Sequence, residues 1–232
     1  RGAFQETYRH YQADFPSTVQ AYCKRVYQPT RGEQMPLMVR QAWKTMITGR
    51  PGPVVLDVPF DIFKETAASE APNPALWSAN ISSRCGADPE GVDKAVDMLL
   101  AAKKPAIVVG QGVRYGGATM ELRALSERLQ IPVAASASGL GAIPVDHPLS
   151  LGLVQRGGTY QANHACRQAD VLMALGVRFD DRTSSSWIPG YSFTIPPTKL
   201  IHVDIDPEEI GRNYPVALGL MADVRTFLRQ VL

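Results

Sequence analysis

The stretch DVLMALGVRFDDR, Asp170 to Arg182, decides the fold class that we expect for this chain of 232 residues. Its first part, VLMAL, is apolar at every position, which is typical of a strand buried on both faces of a parallel sheet. Its last part, RFDDR, places two arginines around two adjacent aspartates. Ligands of open parallel sheets bind outside the carboxyl ends of the strands. The stretch therefore predicts a buried strand that ends at a binding site.

Similar apolar runs alternate with helical patterns from Asp88 onward, which predicts an α/β fold with a doubly wound parallel sheet. The predicted strands cover residues 105–110, 131–136, 170–176 and 199–206. The predicted helices cover residues 88–102, 118–130, 161–169 and 222–232, with a further short helix from Pro207. We expect residues 88–232 to form a complete domain.

Residues 1–63 predict only part of an α/β domain. Apolar positions at helical spacing favour a helix over Gln34–Ile47, which TGRPGP ends, and VVLDV favours a short strand at Val54–Val58. One helix and one strand cannot form a sheet, so we expect this part to depend on strands that precede it. Residues 64–87, rich in Ala, Ser, Pro and Asn, are predicted to be a linker.

Composition excludes several classes of protein. With 45% hydrophobic and 20% charged residues, the chain is typical of a globular protein with a core. A formal charge of +2 gives no argument for nucleic acid or an anionic membrane as a partner. No apolar run approaches the roughly 18 residues of a membrane span. Three widely spaced cysteines favour reduced thiols and a cytoplasmic protein, and no metal site is predicted.

The ends of the predicted strands share residue types that suit a nucleotide. Glycines allow close backbone approach, helix N-termini and arginines bind phosphates, and a carboxylate at a strand end can accept hydrogen bonds from ribose hydroxyls. The segments concerned are GQG (Gly110–Gly112), SASGLGAIP (Ser136–Pro144), RFDDR (Arg178–Arg182), DID (Asp204–Asp206) and ADV (Ala222–Val224). Their occurrence together at successive strand ends favours a nucleotide site.

Each segment also has a purely structural interpretation. GQG is not a full GxGxxG motif and could form an ordinary turn. The charges of Arg178–Arg182 could form an ion-pair network on the surface, and Asp204 could serve the local backbone. His164 and His202 are expected to be satisfied side chains of a helix and a strand rather than ligands or bases. The sequence contains no nucleophile motif and no P-loop.

Five motifs resemble thiamine-diphosphate-dependent enzymes of the acetolactate synthase (acetohydroxyacid synthase) large-subunit group. They are AFQE (Ala3–Glu6), TGRPGPVVLDVP (Thr48–Pro59), SGLGAIP (Ser138–Pro144), GVRFDDR (Gly176–Arg182) and HVDIDPEEIG (His202–Gly211). The resemblance covers essentially the whole chain. It implies that residues 1–63 are the end of a pyrimidine-binding domain. It also implies that residues 88–232 are the central domain, which holds FAD in this group and ADP in some relatives.

The resemblance assigns cofactor-binding residues to this chain. The arginines of RFDDR would meet the phosphates and polar groups of FAD, Arg156 and Gly157 would face the flavin ring, and Asp204 and Asp223 would lie near the adenosine. Arg50 would reach FAD from the pyrimidine-binding domain. The full set implied by the resemblance is Arg50, Gly110, Gln111, Gly112, Ser136, Ala137, Arg156, Gly157, Gly176, Arg178, Asp180, Arg182, Asp204, Ile205, Asp223 and Val224.

The reaction implied by the resemblance is decarboxylation of a 2-keto acid followed by carboligation or acyl transfer. Phe4 and Gln5 match positions beside the substrate channel. Phe60 stands where acetolactate synthases have a lysine, so carboligases, decarboxylases and acyltransferases of the same architecture all remain open. The alternative function is a nucleotide-binding module, regulatory or structural, that holds ADP or NAD without catalysis.

Two parts of the family's machinery are expected outside this sequence. The catalytic glutamate would lie upstream of it, and the motif that binds Mg²⁺ and diphosphate would lie downstream. We therefore expect thiamine diphosphate and Mg²⁺ only in a full-length enzyme, a homodimer or homotetramer acting on a small 2-keto acid. As a fragment of that enzyme, this chain alone is expected to be inactive.

Overall fold

The computed structural model describes residues 14–78 and 84–232. Residue contacts divide the chain into a first unit, residues 1–83, and a second unit, residues 84–232. The predicted linker begins inside the first unit, because the amide of Gly32 donates to Glu65 Oε2 at 2.8 Å and the Arg40 guanidinium lies 4.0 Å from the ring centre of Trp77. The domain limits at residues 63 and 88 stay a prediction.

The first unit contains a parallel strand pair beside a helix. Its elements are α1 (Phe15–Gln20), β1 (Arg25–Tyr27), α2 (Met35–Ile47), β2 (Val54–Leu56), α3 (Phe60–Phe63) and α4 (Ala75–Ser78). β1 pairs with β2 and was not predicted, because three residues are too few to show a strand period. Lys24 Nζ donates to the carbonyls of Thr45, Thr48 and Arg50 at 2.8, 2.6 and 3.0 Å, which satisfies carbonyls at the end of α2.

The second unit is an open parallel sheet of six strands. Its elements are α5 (Pro89–Ala101), β3 (Pro105–Val109), α6 (Gln111–Gly116), α7 (Thr119–Leu129), β4 (Val133–Ala135), β5 (Ser150–Leu153), α8 (Tyr160–Gln168), β6 (Val171–Leu175), β7 (Lys199–Asp204), β8 (Leu218–Met221) and α9 (Val224–Val231). The strand order is β5-β4-β3-β6-β7-β8, and every pair is parallel. The predicted α/β fold with a doubly wound parallel sheet is confirmed.

Two cores lie on the two faces of this sheet, because alternate residues of each strand point to opposite sides. On the helix-covered face, Ile107, Val109 and Met173 pack with apolar residues of α5, α7 and α9. On the loop-covered face, Val108 and Leu172 pack with α8 and with the irregular segment 176–198 between β6 and β7. We use these two names for the faces below.

Two features of the second unit differ from the prediction. β5 and β8 were not predicted, since each has four residues and contains a glycine. The predicted helix from Pro207 is wrong, because residues 207–211 form a turn. Side chains occupy the backbone donors there: Asp204 Oδ1 accepts from the amide of Asp206 at 2.9 Å, and Asp206 Oδ1 accepts from the amide of Glu208 at 3.1 Å.

Within the described ranges, no helix combines the length and the apolar character needed to cross a lipid bilayer.

Candidate functional site

The direction of strand addition reverses between β3 and β6, which is where open α/β sheets bind ligands. Glycines join the two strand ends there. A Cβ on Gly110 would lie 2.0 Å from the carbonyl oxygen of Gly176, and a Cβ on Gly112 would lie 2.8 Å from the Cα of Gly176. The amide of Gly110 donates to Leu175 at 3.0 Å, and that of Gly112 to Gly176 at 3.4 Å. These amides therefore serve the packing of two strand ends, and Gln111 between them is exposed.

The next loop lies against the same edge of the sheet. The amide of Ser136 donates to the carbonyl of Val109 at 2.9 Å, and a Cβ on Gly139 would lie 2.2 Å from that carbonyl oxygen. Ser136 is buried and Ala137 is exposed. Of this predicted pair, the side chain of Ala137 is therefore the one that can meet a ligand.

A cavity of about 340 Å³ joins two loops that the sequence analysis treated separately. Its volume lies at the lower end of the range for small-molecule sites. Arg156 and Arg182 are both exposed, and nothing lies within 4 Å of a Cβ built on Gly157. The lining residues are Gln155, Arg156, Gly157, Asp181, Arg182 and Ser186. Two guanidinium groups on one cavity can hold an anion such as pyrophosphate.

Among the described residues, the charged side chains of RFDDR do not form ion pairs with one another. In the part of the chain that the structure describes, no ion pair joins Arg178 or Arg182 to Asp180 or Asp181. Asp180 Oδ1 instead accepts from the amide of Thr183 at 2.8 Å. The ion-pair network that was the structural alternative is therefore absent among the described residues.

Residues that fit a nucleotide are thus present on one cavity. Gln155 Oε1 is buried and has no hydrogen-bond partner among the described residues, so it offers an acceptor that the fold itself does not use. Gln155, Asp181 and Ser186 were not among the predicted site residues. Gln155 and Asp181 adjoin predicted positions in the sequence, whereas Ser186 had no signal of its own.

A strained turn forms one wall of this cavity. Ser185, Ser186 and Trp187 have φ values of 52°, 57° and 55°, in the left-handed region. That region costs a residue with a Cβ about 1–2 kcal/mol. Trp187 Nε1 donates to the carbonyl of Phe179 at 3.1 Å, which ties the turn to a buried aromatic cluster. Such strain persists only where the surroundings enforce it and is concentrated at functional sites.

The two aspartates predicted to lie near the adenosine of the cofactor also have structural roles in this fold. Asp223 is the N-cap of α9 and accepts from the amide of Thr226 at 3.0 Å, and Arg84 Nη1 lies 3.6 Å from the same carboxylate. Asp204 is buried at the end of β7, and the amide of Ala222 donates to its backbone carbonyl at 3.0 Å. The two aspartates are at strand ends, as expected. Both carboxylates also stabilise the backbone around them.

Ile205 and Val224 were also predicted to contact the cofactor near its adenosine. Ile205 is half-buried, and Val224 belongs to the core of the helix-covered face. Neither side chain reaches the cavity lined by Arg156 and Arg182.

Two buried groups are unsuited to chemistry at the site. Burial lowers the pKa of His202, whose Nε2 donates to the carbonyl of Val177 at 2.8 Å, so the ring stays neutral and structural. Burial raises the pKa of the Cys166 thiol to about 12, so the thiolate is not available.

The remaining predicted residues belong to the first unit. Arg50 is exposed, and its carbonyl accepts from Lys24. Phe60 begins α3 and is 70% exposed, with Lys64 Nζ 4.3 Å from its ring centre. Phe4 and Gln5 lie outside the described residues.

Comparison with known proteins relates the second unit to one family. Residues 92–231 match the family description "Thiamine pyrophosphate enzyme, central domain". The acetolactate synthase large subunit of Buchnera aphidicola subsp. Schizaphis graminum is 37% identical over 207 residues, which are 87% of this chain and 35% of that protein. Acetolactate synthase isozyme 3 large subunit of Escherichia coli is 36% identical over 205 residues, 86% of this chain and 34% of that protein.

Solved structures give the same fold. The benzoylformate decarboxylase of Polynucleobacter necessarius superposes with a TM-score of 0.75 and 24% identity, covering 95% of this chain and 40% of that one. The chain spans about a third of the length of the curated relatives it matches. These relatives favour a part of an enzyme over a separate regulatory or structural nucleotide-binding module.

Proposed function

The chain belongs to the thiamine pyrophosphate enzymes, whose central domain its residues 92–231 match, and on that premise we propose that this central domain binds FAD. The observation that supports the proposal most is the cavity of about 340 Å³ with Arg156 on one wall and Arg182 on the other. The arginines would hold the phosphates of the dinucleotide. Asp181, Ser186 and Gln155 would hydrogen-bond its hydroxyls and polar groups.

FAD suits the site better than ADP because the predicted residues extend over the whole carboxyl edge of the sheet. The cavity itself holds only part of a dinucleotide. The loop at Ser136–Ala137 and the strand ends at Asp204 and Asp223 would accommodate the rest. FAD bound there would act mainly as a structural cofactor, as the resemblance to acetolactate synthases implies.

We extend the proposal to the enzyme of which such a domain is part. Acetolactate synthase-like chemistry, decarboxylation of a 2-keto acid with carboligation or acyl transfer, is the proposed reaction. Thiamine diphosphate supplies the stabilisation of the carbanion in that chemistry. Among residues 14–78 and 84–232, no group of three His, Cys, Asp or Glu side chains could hold a metal ion, and the Mg²⁺–diphosphate site is expected outside this sequence.

The setting of this enzyme is also part of the proposal. We propose a cytoplasmic homodimer or homotetramer that acts on a small 2-keto acid. Cys23, Cys85 and Cys166 are all free thiols, which supports a reducing compartment.

The nucleotide content of the purified chain tests the proposed cofactor. The protein is denatured, and the supernatant is analysed by chromatography and visible absorbance. We expect released FAD, or uptake of one FAD per chain when FAD is added. Released ADP would show that the proposed site binds ADP instead of FAD. A protein that releases no nucleotide and takes up neither compound would contradict it.

A further inference from the structure

A chain of hydrogen bonds connects the two walls of the cavity beneath its surface. Ser185 lies in the left-handed turn of one wall, and its Oγ is 2.7 Å from Ser192 Oγ. Ser192 Oγ donates to Asn163 Oδ1 at 2.7 Å. Asn163 Nδ2, on α8, donates to the carbonyl of Gln155 in the other wall at 2.9 Å and to that of Thr159 at 3.2 Å. Ser185 and Ser192 are fully buried.

The direction of each bond follows from the hydrogens available. A serine hydroxyl has one hydrogen, and Ser192 donates it to Asn163. Ser185 must therefore donate to Ser192. The amide of Asn163 uses both its hydrogens on Gln155 and Thr159, and its oxygen accepts from Ser192. The reversed amide would place its oxygen against two carbonyls, so one arrangement of the chain is strongly favoured.

A second contact joins the same walls nearer the surface. Tyr191 Oη donates to the carbonyl of Arg156 at 3.1 Å. The loop Gln155–Gly158 is thus held at two successive carbonyls, that of Gln155 by Asn163 of α8 and that of Arg156 by Tyr191, which follows the left-handed turn. Each wall contributes one of the two arginines that face the cavity.

We propose that Ser192 and Asn163 are positioning residues, which fix the loop with Arg156 relative to the loop with Arg182 so that the anion site is formed before its ligand binds. The effect on ligand binding rests on the proposed FAD function, whereas the coupling of the two walls does not. A site that is formed in advance binds more tightly because less ordering is required on binding.

Hydrogen exchange tests the coupling without any ligand. In Ser192→Ala, we expect the amides of Gly158 and Thr159 on one wall and of Ser184 and Ser186 on the other to exchange about three- to tenfold faster, the range for loss of one hydrogen bond. Ser126→Ala is the matched control, because Ser126 Oγ is equally buried and donates to the carbonyl of Ile131 at 2.8 Å. Ser126→Ala should accelerate hydrogen exchange only near Ser126 and leave the exchange of the amides in both walls unchanged.

Two further variants separate positioning from general loss of stability. In Ser185→Ala, a change on one wall should accelerate exchange of Gly158 and Thr159 on the other. The double variant Ser185→Ala/Ser192→Ala should exchange there no faster than Ser192→Ala, because the chain is already broken. Acceleration confined to residues 184–187, or fully additive effects, would overturn the proposal.

Titration with FAD tests whether the positioning residues affect ligand binding. We expect Ser192→Ala and Ser185→Ala to raise the dissociation constant about three- to tenfold, and Ser126→Ala to leave it unchanged. Unchanged FAD affinity in both variants, with wild-type protein binding FAD, would contradict the positioning role. If wild-type protein binds no FAD, the proposed function fails, and the exchange experiment still decides whether the two walls are coupled.

Discussion

The two faces of the parallel sheet are covered in different ways, and the difference separates stability from binding. Helices cover one face, where Leu125 and Phe227 are buried. On the other face α8 is joined by the irregular segment 176–198, in which Phe179 has a φ of 51°. A helix satisfies its own backbone groups, whereas an irregular segment leaves side chains and backbone groups for other partners. The cavity is lined by loops of this second kind.

A large effect is expected at the strand ends that both faces share. In Gly110→Ala, the new Cβ would meet the carbonyl of Gly176 at 2.0 Å, so β3 and β6 would have to separate. We expect the free energy of unfolding to fall by about 3 kcal/mol or more in urea denaturation. Gly157→Ala is the control, since nothing lies within 4 Å of its Cβ. Equal stability of the two variants would show that the glycine contact is not needed.

A pair of phenylalanines compares the two faces directly. Phe227→Ala and Phe179→Ala each remove a fully buried ring, so both should lower the free energy of unfolding by about 3–5 kcal/mol. Only Phe179→Ala should also weaken FAD binding, because the ring of Phe179 packs edge-on against Phe193 within segment 176–198, which contains the left-handed turn. The measurements are urea denaturation and FAD titration at a temperature where both variants are folded. Equal weakening of FAD binding by Phe227→Ala would remove the distinction between the faces.

A change of pH is expected to have a smaller effect on stability. The pH range of this effect should differ between His202 on the loop-covered face and Glu121 on the helix-covered face. Burial lowers the pKa of His202 from about 6.5, so protonation favours the unfolded chain and stability is lost as pH falls below that value. Burial raises the pKa of Glu121, but hydrogen bonds from Arg225 and Arg229 lower it below about 4.5 overall. The stability from Glu121 is therefore present above that value and lost as pH falls through the lower, folded pKa.

Urea midpoints between pH 7.5 and 3.5 test this order. We expect His202→Gln to flatten the loss that begins as pH falls below about 6.5, and Glu121→Gln to flatten only the loss below about pH 4.5. If His202→Gln instead flattened the loss below about pH 4.5, or Glu121→Gln the loss that begins below about pH 6.5, the assignment of each range to its group would be contradicted.

The sequence predicted the central strands well because their apolar runs reflect burial on both faces. β3, β6 and β7 were found in this way. β5 and β8 are short and contain glycine, and β1 has three residues, so their pairing depends on neighbours rather than on a period. The predicted helix from Pro207 was wrong because aspartate side chains competed for the amides that a helix would use.

The candidate site was predictable as a set of strand ends and not as a cavity. RFDDR could be placed after a buried strand, but its approach to Arg156, which follows a strand that was not predicted, needed the three-dimensional structure. The left-handed turn at Ser185–Trp187 contains no glycine or asparagine to indicate positive φ. The chain of hydrogen bonds through Ser192 and Asn163 joins residues distant in sequence, so no local pattern indicates it.

The most direct test of the central claim is a titration of the chain with FAD, followed by flavin fluorescence, for wild type, Arg182→Ala and Arg123→Ala. Arg123 is the control because it is exposed, lies on α7 away from the cavity and pairs with Glu127 at 2.8 Å. We predict that Arg182→Ala raises the dissociation constant about tenfold or more, as expected for loss of a charge-assisted bond to phosphate, and that Arg123→Ala leaves it unchanged. Unchanged affinity in Arg182→Ala, or equal weakening in Arg123→Ala, would contradict the assignment of this cavity to the cofactor's phosphates.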